Sequence, residues 1–194
     1  MTELELYREQ IKEGDTMLQG TVDKRFDYNI LLIGFMGTGK STVADCLSGM
    51  FGMQNVEMDQ VIEERQQMSI SKIFETYGEE YFRNLETDLL VEIQGQKNTI
   101  VSCGGGVPLF ERNVVEMKKN SRVVLLTAKL DTILERVKEN DDRPLLQGNK
   151  NADFIKNLMN QRREKYEAVA DVVIETDERS VTDICEEIIS KLCK

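Results

Sequence analysis

An apolar run, Ile30-Leu31-Leu32-Ile33, leads straight into Gly34-Phe35-Met36-Gly37-Thr38-Gly39-Lys40-Ser41-Thr42, so a buried strand must turn through a glycine loop into a helix. Few folds accommodate that. The spacing G-x-x-x-x-G-K-S predicts a strand over Tyr28–Ile33, a phosphate-cradling loop and a helix from Ser41 to Leu47. Glycines let the backbone N–H groups of Gly37, Thr38 and Gly39 point inward at phosphate oxygens, and the helix start adds partial positive charge. Lys40 would reach the β and γ phosphates, Ser41 would place its hydroxyl on Mg²⁺, and Thr42 would support the loop. A bound nucleoside triphosphate, ATP, is the expectation. A glycine-rich turn without a ligand is the alternative.

The rest of the chain narrows the partners. A formal net charge of −10 argues against a nucleic-acid partner, which needs a broad basic face, and leaves small anions as ligands where arginines cluster. No histidine is present, so any proton acceptor must be a carboxylate or another group. No apolar stretch reaches the roughly 18 residues of a membrane span. The start, Met1-Thr-Glu-Leu-Glu, does not read as a signal peptide, so the cytoplasm is expected. Cys46, Cys103, Cys185 and Cys193 lack C-x-x-C spacing and are expected to be reduced thiols.

Strands and helices alternate. Strands are expected at Met53–Glu57, Thr99–Ser102, Arg122–Thr127 and Val172–Glu175, with helices at Val114–Lys119, Leu130–Lys138, Asn151–Val169 and, capped by Ser180, through Leu192. A helical insertion runs from Gln60 to about Gln96, punctuated by Ser69, Gly78 and Gly95. The polar segment 139–150, broken by Pro144 and Gly148, suits a lid. This alternation predicts an α/β fold with a parallel, doubly wound sheet whose ligands sit at the C-terminal strand ends.

Further motifs then fall in one order. Glu57-Met58-Asp59 follows a strand, and Ser69-Ile70 precedes Ile73-Phe74, Gly78-Glu79, Phe82-Arg83 and Glu86. The triple glycine 104–106, Arg143-Pro144-Leu145-Leu146, and Arg162 four residues before Tyr166 complete the series. Over about residues 28–192 the chain resembles shikimate kinase. The resemblance implies a P-loop NTPase fold of the nucleoside-monophosphate-kinase type, with a five-stranded parallel sheet flanked by helices. It also implies transfer of the ATP γ-phosphoryl group to the 3-hydroxyl of shikimate, giving shikimate 3-phosphate and ADP. Arg83 and Arg162 match the family's carboxylate-binding arginines, whose planar fork suits bidentate recognition. Asp59 matches the aspartate that accepts from substrate hydroxyls, and Gly104, Gly105 and Gly106 let backbone N–H groups approach the ring. Arg143 would act like an arginine finger supplied in cis. Arg136 and Arg179 match positions around adenine. Glu57 stands where the family usually has aspartate and is expected near Mg²⁺, directly or through water. Cys103 is expected to be a small packing residue.

Each residue alone has a plainer reading. Arg83 could pair with Glu79 and Glu86 on a helix surface, Asp59 could cap a helix, and Arg162 could be a surface charge. Two other functions remain open: a related kinase of another hydroxy acid such as gluconate, and a silent nucleotide-binding regulator. Arg83, Arg162 and the triple glycine disfavour the first of these. Residues 1–27 are expected to form a helical extension, and Leu6-Tyr7-Arg8-Glu9-Gln10-Ile11 resembles part of the first helix of chorismate mutase. The remaining helices of that enzyme are absent, so no mutase activity is expected, and residues 28–194 form the domain. A monomer is expected.

Overall fold

The computed structural model describes residues 26–138 and 152–193. The candidate lid 139–150, Arg143 and most of the N-terminal extension therefore lie outside the described residues.

Five parallel strands form one sheet in the order β2-β3-β1-β4-β5, with β1 at Asn29–Ile33, β2 at Gln54–Glu57, β3 at Thr99–Ser102, β4 at Ser121–Thr127 and β5 at Val172–Glu175. The expected sheet is present. Strand β1 is central and all five of its residues are buried, which is why its sequence is an unbroken apolar run after Asn29. Its side chains alternate between two layers. Leu31 and Ile33 join Met58, Ile73, Phe82, Leu90 and Val101 on one face, while Ile30 and Leu32 join Val43, Leu47, Ile184 and Ile188 on the other.

The second layer is built by helix α1, Lys40–Phe51, and the C-terminal helix, Val181–Leu192. The first is covered by α2 (Met58–Gln66), α3 (Ile70–Gln94), α4 (Glu111–Met117), α5 (Leu130–Lys138) and α6 (Ala152–Val169); the C-terminal helix is α7. The insertion between β2 and β3 is thus two helices. Gly78, at φ 82° and ψ 171°, interrupts α3 and redirects its second half.

Three departures from the sequence reading have a clear physical basis. Helix α4 begins at Glu111, preceded by a short 3₁₀ turn at Val107–Leu109, because the Phe110 carbonyl accepts from both Asn113 and Val114. Glu57, not Asp59, is the N-cap of α2, which moves Asp59 into the first turn. Phe26, assigned to the extension, is 3 % exposed and packs edge-on against Phe51 with centroids 6.0 Å apart. The packed domain therefore includes Phe26. Ser180 does cap α7, its hydroxyl accepting from the Asp183 N–H.

Candidate active site

Parallel strands deliver their C-terminal ends to one edge, and the expected site residues gather there. Gly34 leaves β1 at φ 143°, and a side chain at this position would meet the Leu126 carbonyl oxygen at 2.3 Å. The loop closes on itself when Thr38 Oγ1 donates to the Phe35 carbonyl at 2.8 Å. Gly39 adopts φ 89° and starts α1, whose first turn carries no acidic side chain. Such a terminus favours an anion. Lys40 is 8 % exposed and its Nζ donates to the carbonyls of Gly34 and Phe35, at 3.1 Å each. Ser41 and Thr42 are exposed at the same helix start.

Arg136 on α5 donates to the Gly37 carbonyl at 3.0 Å and to Thr176 just beyond β5, so it lies against the phosphate loop. Arg179 is held elsewhere: it pairs with Glu187 on α7 and donates to the carbonyls of Glu175 and Asp183.

The second half of the site forms around Gly104–Gly106, which follows β3. A Cβ on Gly104 would lie 2.8 Å from Asp59 Oδ1 and 2.9 Å from Glu86 Oε1, so two carboxylates converge on that glycine. One on Gly106 would lie 2.3 Å from Arg83 Nη1. One on Gly105 would lie 3.5 Å from Arg162 Nη1 and from the Tyr166 hydroxyl, and 3.7 Å from the Gly34 carbonyl that also binds Lys40. The glycine loop is therefore the meeting point of α2, α3, α6 and the phosphate loop. A Cβ at Gly104 or Gly106 would displace those side-chain ends, whereas at Gly105 it would make only ordinary contacts.

Arg83 is not a surface residue. It is 8 % exposed, donates from Nε and Nη2 to Glu79 and from Nη1 to Glu86, and lies 5.4 Å from the ring centroids of both Phe82 and Phe110. Three of its five N–H groups are taken, which leaves one on each terminal nitrogen for another carboxylate. Burial opposes its charge, but Glu86 and Glu79 outweigh that and hold it above the usual arginine range. Glu86 is 1 % exposed; burial pushes its pKa up to about 7 against the pull of Arg83, with Asp59 adding to the rise. The sequence offered Glu86 only as a surface partner of Arg83; the pair is buried instead. Its i+3 spacing from Arg83 was the available signal.

Cys103 fills the core as expected. Burial drives its thiol far up; Lys40 opposes this, while Glu57, Glu86 and Asp59 add to it. Glu57 ends β2 in register with Ser102 of β3. The Ser102 hydroxyl is buried and has no hydrogen-bond partner among the described residues.

Comparison with known proteins agrees with this geometry. A family model described as shikimate kinase matches residues 36–193. The shikimate kinase of Persephonella marina is 42% identical over 164 residues, covering 84% of this chain and 98% of its own. That of Geobacter sulfurreducens is 42% identical over 160 residues, with coverages of 82% and 88%. The solved shikimate kinase of Acinetobacter baumannii in complex with shikimate superposes with a TM-score of 0.81 at 32% identity, covering 86% and 93% of the two chains. A gluconokinase from Sinorhizobium meliloti, at 13% identity and TM-score 0.53, shares the fold alone.

Proposed function

The chain belongs to the shikimate kinase family and is an ATP-dependent shikimate kinase, and from that premise we propose how its own residues divide the work. Arg83 and Arg162 bind the substrate carboxylate. Backbone N–H groups of Gly104, Gly105 and Gly106 approach the ring hydroxyls. Asp59 orients the attacking 3-hydroxyl and accepts its proton, while Lys40 lies along the β and γ phosphates as charge moves toward the leaving ADP. Arg136, against the phosphate loop, serves the adenine end; Arg179, the sequence's other candidate there, is held by Glu187 and the carbonyls of Glu175 and Asp183. Arg143, outside the described residues, neutralises the transferring phosphoryl group. The observation that carries this reading is the convergence of Asp59, Arg83 and Arg162 on three successive glycines, with the Gly34 carbonyl linking that loop to Lys40.

The residues present fit a divalent cation. Glu57 supplies an acidic oxygen, Ser41 a hydroxyl, and the unpartnered Ser102 hydroxyl stands in register with Glu57. Ser41 and Glu57 would hold Mg²⁺. Bound there, it would screen phosphate charge.

We also read the chain as a cytoplasmic monomer with no nucleic-acid partner. The charge of −10 supports the last point, and among the described residues no helix is long and apolar enough to cross a membrane. Residues 1–27 are read as lacking mutase activity. Conversion of chorismate to prephenate by the purified chain would overturn that.

The test of substrate is ADP release from MgATP with and without shikimate, using gluconate as control. Release that requires shikimate is expected. Release driven by gluconate would reassign the Arg83/Arg162 pocket to another acid.

A further inference from the structure

Arg162 and Tyr166 are four residues apart on α6, so both project from one face, and both reach the same backbone atom. The Tyr166 hydroxyl donates to the Gly105 carbonyl at 2.6 Å, and Arg162 Nη1 approaches that oxygen at 3.5 Å. Burial raises the phenol's pKa, and the charge of the neighbouring Arg162 guanidinium opposes that rise. Tyr166 is 4 % exposed and Arg162 8 %. Arg162 additionally lies 5.8 Å from the centroid of the Phe35 ring in the phosphate loop. The phenol and the guanidinium thus share one acceptor, the Gly105 carbonyl.

Two consequences follow from elementary geometry. In a trans peptide the C=O of one residue and the N–H of the next point in opposite directions, so holding the Gly105 carbonyl toward Tyr166 turns the Gly106 N–H to the other side of the loop. A phenol on the same helix face, bonded to the carbonyl that Arg162 also approaches, limits where that guanidinium can swing. Burial raises the phenol's pKa, so it keeps the proton it donates throughout the neutral range.

We propose that Tyr166 is a positioning residue for substrate: its hydroxyl fixes the Gly105–Gly106 peptide plane and the seat of Arg162, and so sets the geometry of the acid-binding half of the site. The inference rests on reading Arg162 and the glycine loop as that half.

The test is Tyr166→Phe, which keeps the ring and removes only the hydroxyl. KM for shikimate is expected to rise about tenfold, with kcat and KM for ATP within about twofold of the parent, since the phosphate loop keeps its own contacts. In an Arg162→Lys background the same change should cost much less, because the partner is already misplaced. An unchanged shikimate KM in Tyr166→Phe overturns the proposal; so does a rise in both KM values accompanied by a lower Tm, which would mark a merely structural role. If Arg162→Lys also leaves shikimate KM unchanged, the reading of the acid pocket fails along with it. If Tyr166→Phe does not fold, parent protein carrying 3-fluorotyrosine provides the measurement. The ¹⁹F resonance of the buried Tyr166 should move on saturation with shikimate, and a resonance that stays fixed overturns the proposal.

Discussion

Glu86 accepts from Arg83 Nη1 at 2.7 Å where both side chains are nearly dry, 1% and 9% exposed respectively. Burial of this kind leaves a carboxyl with a pKa near neutrality even beside a guanidinium. In the unfolded chain Glu86 titrates near its ordinary value of 4.5, and in the folded chain near about 7. Between those values the folded state holds a proton that the unfolded state has released. Its contribution to stability is whole below the ordinary value and is lost as pH rises through about 7.

The expected result is that Glu86→Gln, which cannot titrate, flattens the pH dependence of Tm. Thermal unfolding followed from about pH 5 to 8 should show the parent losing Tm relative to the variant. Parallel curves would mean that the carboxyl does not take up a proton in this range.

Gly106→Ala should separate substrate binding from folding. The new methyl would stand 2.3 Å from Arg83 Nη1 and 2.7 Å from its Cζ, so the flexible arginine end must move. Shikimate KM is expected to rise at least about tenfold while KM for ATP stays near parental. Steady-state kinetics in both substrates check this.

Gly34→Ala should instead damage the scaffold. Its methyl meets a backbone oxygen of β4 at 2.3 Å, at a φ of 143° that L residues rarely adopt. A loss of about 3 kcal/mol is expected, equivalent to about 6–12 °C in Tm for a chain of this size. A variant with parental Tm would contradict the close approach of β1 and β4.

Asp59→Asn keeps the shape of the side chain and removes its basicity. If Asp59 accepts the hydroxyl proton, kcat should fall about 10²- to 10⁴-fold with the fold intact by circular dichroism. Arg143→Ala is expected to reduce kcat strongly as well, leaving shikimate binding measurable by calorimetry. Near-normal turnover in either variant removes the role assigned to it.

Phe26→Ala should cost about 3 kcal/mol in chemical denaturation, because a buried ring against Phe51 and Tyr28 is lost. A negligible loss would place the start of the packed domain after it.

The architecture was legible because each strand carried its own signal: an apolar run, a following glycine motif, then helical spacing. The phosphate loop was legible for the same reason, since its chemistry is local. What the sequence concealed was environment. Arg83 reads as an ordinary i, i+4 partner of Glu79 until Gly78 bends α3 and the glycine loop closes over the guanidinium. Glu86 and Tyr166 were visible at their spacings, but their burial depends on chain 18 to 61 residues away. Phe26 is an isolated aromatic after a polar stretch, and nothing local announces its partner Phe51. Ser102 looks like a strand residue, and only register with β2 sets its hydroxyl opposite Glu57.

The position of β1 in the sheet also bears on how the chain can be made. It is the first strand in sequence, yet it lies in the middle, paired with β3 through Ile30↔Ile100 and with β4 through Leu31↔Val123. During synthesis Ile30–Ile33 therefore leaves the ribosome about 70 residues before either neighbour exists. Helix α1 can cover one of its faces in that interval and α2 and α3 the other, but both hydrogen-bonding edges stay open. A strand wholly buried in the finished enzyme is thus an adhesive part of the nascent one, and the interval before β3 emerges is when self-association competes with folding.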